Sequence, residues 1–215
     1  MVCTPVDRIV EDVRRAAEHC RPGTLITDTG SVKQPIVEAL DEGLPGDCRF
    51  LGSHPVAGRE KSGIAHAKAK LFKNRPAMIT PTENTRAEDA GRLRAFWESL
   101  RANVYEISPA EHDEILASTS HVPHVVAAAL AAAIPEGFSG YAGTGLASTT
   151  RIARADAGLW MPILLANRAN VAKALERFET QLAALRASIQ AGDGEQTQRI
   201  LALAQGRAEA LRNAE

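Results

Sequence analysis

Two short apolar runs, each ending in a polar, glycine-flanked loop, constrain this chain most. Thr24, Leu25, Ile26 and Thr27 lead into Asp28-Thr29-Gly30-Ser31-Val32-Lys33. Arg49, Phe50 and Leu51 lead into Gly52-Ser53-His54-Pro55-Val56-Ala57-Gly58-Arg59-Glu60-Lys61-Ser62-Gly63. Runs of this length bounded by turn residues read as buried strands, and a helical pattern over about 32–42 separates them. Strand–helix–strand alternation calls for a mostly parallel sheet, whose loops at the carboxyl edge hold the functional groups. Ser31 and His54 are thereby expected at one sheet edge.

The alternation continues to residue 107. Thr4 can cap a helix over 4–19, with Pro5 in its first turn and Asp7 favouring the dipole. Further strands are expected at 49–52, 77–80 and 103–106, with a helix at 86–100. Residues 1–3 read as the tail of a strand, so elements that precede it in such a fold are expected to be lost. No Gly-x-Gly-x-x-Gly occurs, although the pattern is that of the second part of a dinucleotide-binding fold.

From Ser108 the pattern becomes helical. Ser108-Pro109-Ala110-Glu111 has capping-box spacing. A helix should run to about 133, kinked or broken at Pro123, whose ring crowds the carbonyl of Thr119. Residues 137–150 read as a glycine-rich loop, and two or three amphipathic helices follow from 156, with a turn at Gly192-Asp193-Gly194. Leu175, Phe178, Leu182 and Leu185 recur at helical spacing and are expected to form a buried stripe. The fold class is α/β, partial Rossmann-type, over 1–107, followed by an all-α domain over 108–215.

A formal net charge of −1, from 25 basic and 26 acidic residues, gives no electrostatic case for nucleic acid or an anionic membrane. No apolar run reaches the ~18 residues of a membrane span, and the N-terminus lacks the pattern of a signal peptide. Cys3, Cys20 and Cys48 are odd in number and have no metal-type spacing. They suit reduced thiols in a cytoplasm.

Each candidate residue has an ordinary reading beside a functional one. His54 can be a structural histidine, or a general base that needs a neutral imidazole. Ser31 can cap the helix at 32, orient the imidazole, or do both. Lys33 is an exposed first-turn lysine or a phosphate ligand. His121 and His124, three apart, share a helix face, whereas His112, nine residues before His121, falls about half a turn away. That phase argues against a three-histidine metal site. Arg151 can bind a carboxylate in bidentate fashion, while Glu60 and Trp160 read most simply as a solvated acid and a core aromatic.

Asp28-Thr29-Gly30-Ser31-Val32-Lys33, the Gly52–Gly63 segment, His112-Asp113, Ser120-His121-Val122-Pro123-His124 and Thr150-Arg151-Ile152-Ala153 through Trp160 together resemble the prephenate dehydrogenases, and in order over nearly the whole chain. The resemblance implies NAD- or NADP-dependent oxidative decarboxylation of prephenate or arogenate, giving 4-hydroxyphenylpyruvate from prephenate, in tyrosine biosynthesis. It implies that His54 accepts the ring-hydroxyl proton, Ser31 orients His54, and Arg151 holds a substrate carboxylate. It also implies that His121 and His124 line the cleft, that Glu60 and Trp160 shape it, and that Thr4, Pro5 and Ser31 approach the cofactor. The helical part would build a homodimer. Ser148 stands where the family often has an acid, three before the arginine. The competing expectation is a shortened, non-catalytic relative that dimerises or binds an aromatic ligand.

Overall fold

The computed structural model describes residues 1–57 and 66–213. They divide into two compact units, Met1–Val171 and Ala172–Glu215.

The first unit carries two short sheets joined by the chain at Leu51. Val2 bridges Asp28 in parallel, and β1 (Leu25–Ile26) pairs in parallel with β2 (Arg49–Phe50). At Leu51 the chain bends away from β1 and continues as β3 (Gly52–Pro55). This strand runs antiparallel to β4 (Pro76–Thr80), with His54 opposite Met78. β4 pairs in parallel with β5 (Asn103–Glu106). The strand expected at 49–52 is thus two strands, and His54 lies inside the second rather than in the loop beyond it. Cross-strand pairing therefore holds the backbone of the histidine.

α1 (Ile9–Ala17) starts later than residue 4. The Arg8 N–H donates to the Pro5 carbonyl at 2.9 Å, closing a separate turn first, so Thr4 is not its cap. Its buried Ile9, Val13 and Ala17 follow i, i+4 spacing and pack with Ile26, Val32, Ile36 and Leu40. The last two lie on α2 (Gln34–Leu40). Across the sheet, Leu51, Ala77 and Ile79 pack with Leu93 and Trp97 of α3 (Ala87–Ser99). Each fully buried Val, Leu or Ile among them is worth about 1.5–3 kcal/mol.

Ser108 caps α4 (Pro109–Leu116), its hydroxyl accepting from the Glu111 N–H at 3.1 Å. Of the kink or break expected at Pro123, the break does not occur. One π-helical turn, Ala117–His121, leads directly into α5 (Val122–Ala132). The wider turn re-aims the carbonyls that an α-helix would drive against the proline ring, so the helix continues. Contrary to the sequence expectation, the continuous helix Pro109–Ala132 is long and apolar enough to cross a bilayer by length and composition, at 24 residues and mean hydropathy 1.4. In this fold it carries the buried polar groups His112, Asp113, His121 and His124.

The stretch expected as a glycine-rich loop, 137–150, holds a 3-10 turn at Ser139–Tyr141 and α6 (Thr144–Thr149), and a second 3-10 turn follows at Arg151–Arg154. Asp156 then caps α7 (Ala157–Ala166) through the Leu159 N–H at 3.1 Å. α8 (Arg168–Gln190) continues into the second unit, where α9 (Gly194–Asn213) follows the expected turn. Gly192 takes φ 67° there, and Asp193 caps α9 through the Gln196 N–H at 2.9 Å. The expected buried stripe is open in the single chain. Phe178 is 36% and Leu182 53% exposed.

Candidate active site

His54 is buried, and its Nδ1 lies 2.9 Å from Nε2 of His112. The Nδ1 of His112 lies 2.8 Å from Oδ1 of Asp113. That carboxylate also receives the first free N–H groups of α2, Lys33 N at 2.7 Å on Oδ1 and Gln34 N at 2.9 Å on Oδ2. The expected cap of this helix, Ser31, is not the one used. Asp113, eighty residues away in sequence, satisfies those donors. Ser31 instead lines the same cleft as His54.

Beneath this row lies a buried ion pair. Asp28 and Lys33 are both wholly excluded from solvent and bonded to each other. Lys33 is therefore neither exposed nor placed to meet a phosphate. Burial pushes its ammonium down, opposed by the charge and hydrogen bond of Asp28. Asp28 also accepts from Gly30 N at 2.8 Å and Ser53 N at 3.2 Å. Ser53 Oγ donates to the Asp28 carbonyl at 2.7 Å. Ser53 and Gly30 flank His54 and Ser31, so the network fixes both loops from inside. At Gly30 an added Cβ would sit 2.6 Å from Ile9 Cδ1 and 2.8 Å from Asp28 Oδ2, so only glycine lets the loop close this tightly.

A cleft of about 470 Å³ brings together Ser31, His54, Ser120, His124, Arg151 and Trp160. His124 and Trp160 stack with centroids 3.6 Å apart and planes 7° from parallel. His121 meets Trp160 edge-on at 6.2 Å and is itself fully buried. Its Nδ1 lies 3.2 Å from Asn167 Nδ2, an amide that also donates to the Asp113 carbonyl at 2.7 Å. The Nε2 of His121 and the Nδ1 of His124 are buried without partners among the described residues. Thr4 and Pro5 follow the Val2 bridge and lie in a separate hollow with Arg8 and Arg15. Glu60 lies outside the described residues.

The π-turn explains why sequence phase misplaced His112. Nine α-helical residues rotate a side chain by about half a turn, but one inserted residue reduces the difference to roughly 80°. His112 and His121 thus both face the buried side of the helix. Among the described residues no group of three His, Cys, Asp or Glu side chains is disposed to hold a metal ion.

The electrostatics favour neutral imidazoles. Burial pushes His54 well below the usual histidine value, and His112, Lys33 and His121 act in the same direction. Burial lowers His112 against the opposing hydrogen bond of Asp113. It lowers His121 to about 4, and it lowers His124 as well. A buried neutral imidazole near the end of β3, in a cleft shared with an arginine, suits a proton acceptor for a carboxylate-bearing substrate.

Such an α/β unit followed by helices is Rossmann-like. The family model "Prephenate dehydrogenase, nucleotide-binding domain" matches residues 1–106, and "Prephenate dehydrogenase, dimerization domain" matches residues 108–203. A prephenate dehydrogenase of Bacillus subtilis is 33% identical over 205 residues, covering 91% of this chain and 54% of its own length. A cyclohexadienyl dehydrogenase of Zymomonas mobilis is 30% identical over 203 residues, covering 91% and 69%. A crystal structure of prephenate dehydrogenase from Aquifex aeolicus, in complex with hydroxyphenyl propionate and NAD+, superposes with a TM-score of 0.84 at 32% identity. It covers 97% of this chain and 74% of the other. This chain belongs to the prephenate dehydrogenase family, and it spans about half the length of the Bacillus relative.

Proposed function

We propose that the chain serves NAD- or NADP-dependent oxidative decarboxylation of a cyclohexadienyl substrate, prephenate or arogenate, in tyrosine biosynthesis. One observation carries the reading: a buried, neutral His54 opens on the same cleft as Arg151 and the His124–Trp160 stack. Thr29 and Ser31 hydroxyls line that cleft beside His54 and suit the amide of a nicotinamide. The cofactor, when bound, would accept hydride from the hydroxyl-bearing ring carbon. His54 takes the hydroxyl proton as that carbon becomes a carbonyl. It returns the proton to the phenol oxygen once carbon dioxide has left and the ring is aromatic. Arg151 holds a carboxylate of the substrate, and Trp160 with His124 shapes the wall against the ring.

His124 stands in that wall, whereas His121 is buried behind Trp160 and does not line the cleft as the resemblance implied. Glu60 is assigned to the rim of the cleft, and Thr4 and Pro5 to the cofactor side, by the same resemblance. Residues 1–107 form the nucleotide-binding part in this reading, and 108–215 the substrate-binding and dimerising part. The open apolar residues Phe178, Leu182 and Ile189 support a homodimer through the helices. The three free cysteines suit a cytoplasmic protein.

The test is turnover of prephenate or arogenate with NAD+ and NADP+ by the purified chain. His54→Asn should lower kcat by roughly 10²–10⁴-fold with KM little changed, the share usual for a general base. Arg151→Ala should chiefly raise KM. Unchanged kinetics in His54→Asn would refute its role, and absence of both turnover and nucleotide binding would favour the non-catalytic dimerising module.

A further inference from the structure

With His112 a neutral imidazole against the Asp113 carboxylate, the row His54–His112–Asp113 has one consistent arrangement of protons. Asp113 Oδ1 receives the Lys33 N–H at 2.7 Å and Oδ2 the Gln34 N–H at 2.9 Å, and a backbone N–H can only donate. Oδ1 is therefore an acceptor towards His112 as well, and His112 must carry its proton on Nδ1, 2.8 Å away. A neutral His112 then has only a lone pair on Nε2. The partner 2.9 Å from that lone pair is His54 Nδ1, which must be the donor. His54 is left with an unprotonated Nε2.

We propose that His112 and Asp113 are positioning residues that lock His54 in the tautomer with Nδ1 protonated and Nε2 free, making it a base before any substrate arrives. The proposal rests on the proton-acceptor role given to His54 above and adds the residues that set its direction. When His54 takes a second proton on Nε2, its Nδ1–H bond to His112 is already made and strengthens with the charge. Asp113 at the far end supplies the negative charge that the row polarises towards. No bond to His112 has to form or break, so the imidazole neither turns nor exchanges protons with solvent during the step.

The arrangement also couples the base to the loop that carries Ser31. The same carboxylate that fixes His112 holds the start of α2, two residues after Ser31. Lys33 lies directly beneath, bonded to Asp28, whose Oδ1 receives the backbone N–H of the residue before His54. The helix from Pro109 and the start of α2 thus meet at one carboxylate. Neither Asp113 nor His112 needs to touch the substrate to act.

Two measurements test this. In long-range proton–nitrogen NMR of the unliganded wild-type chain, His54 should show a protonated Nδ1 and an unprotonated Nε2 at neutral pH. The opposite tautomer, or a mixture of both, would overturn the proposal whether or not the chain turns over any substrate. In turnover, His112→Phe keeps the ring volume but removes both hydrogen bonds, and should lower kcat by about 10²-fold or more with little change in KM. His112→Gln can accept from His54 and donate to Asp113 at once, and should recover a substantial part of that loss. Equal kcat in His112→Phe and wild type would sink the positioning role. An equally inactive His112→Gln with a native fold and the wild-type His54 tautomer would do the same. Should His112→Phe fail to fold, the wild-type tautomer and the glutamine variant still decide the question.

Discussion

Replacing Lys33 by methionine tests the ion pair on which both active-site loops rest. Both partners are wholly buried, so the Asp28 carboxylate would lose its only cationic partner among the described residues while staying out of water. Removing one partner of a buried pair costs about 3–5 kcal/mol, because the charge left behind is uncompensated. Asp28 keeps the Gly30 and Ser53 N–H groups at 2.8 and 3.2 Å, which places Lys33→Met near the lower end, about 3 kcal/mol. Asp28→Asn leaves a buried ammonium instead and should cost a similar amount. The double variant removes both charges together. It should be destabilised by less than the sum of the singles, with a coupling of roughly 2–3 kcal/mol. Urea unfolding at one fixed protein concentration measures this, through midpoint shifts at constant m value. A Lys33→Met variant within about 1 kcal/mol of wild type, or singles that simply add, would refute the account of the loops.

Acid should destabilise the protein early, and His121 shows the sign. Its folded value of about 4 lies below the ordinary 6.5, so the unfolded chain binds the proton first. Its contribution is complete above 6.5 and is lost as pH falls towards 4. Between pH 7 and 5 that one residue should remove about 2 kcal/mol, and His54, His112 and His124 shift in the same direction. Urea titrations at these pH values that show a flat stability, or an unchanged slope in His121→Gln, would contradict it. Leu182, 53% exposed on α8, should lie in the proposed dimer contact. Leu182→Glu should weaken self-association by at least about tenfold in sedimentation equilibrium, and an unaltered dimer would exclude that face.

Local rules carried the reading of the sheet and of several helix ends. The strand at Asn103–Glu106, the Ser108 cap and the Gly192 turn are set by side chains within a few residues, so the sequence displays them directly. His54, Ser31, Arg151, His124 and Trp160 were also legible by their motifs, and the structure brings all five to one cleft. The cap given to Ser31, the phase of His112 and the exposure of Lys33 differ from the sequence reading, each for a nonlocal reason. The cap of α2 comes from residue 113, the partner of Lys33 is hidden inside the loop, and the phase of His112 depends on a π-turn that α-helical counting cannot anticipate.

By itself, then, the sequence displayed the candidate groups and the strand and turn patterns around them, because those patterns are local. Only the tertiary structure decided what faces His54. That partner is fifty-eight residues away on another element, and a hydrogen bond between distant residues leaves no periodicity in the chain.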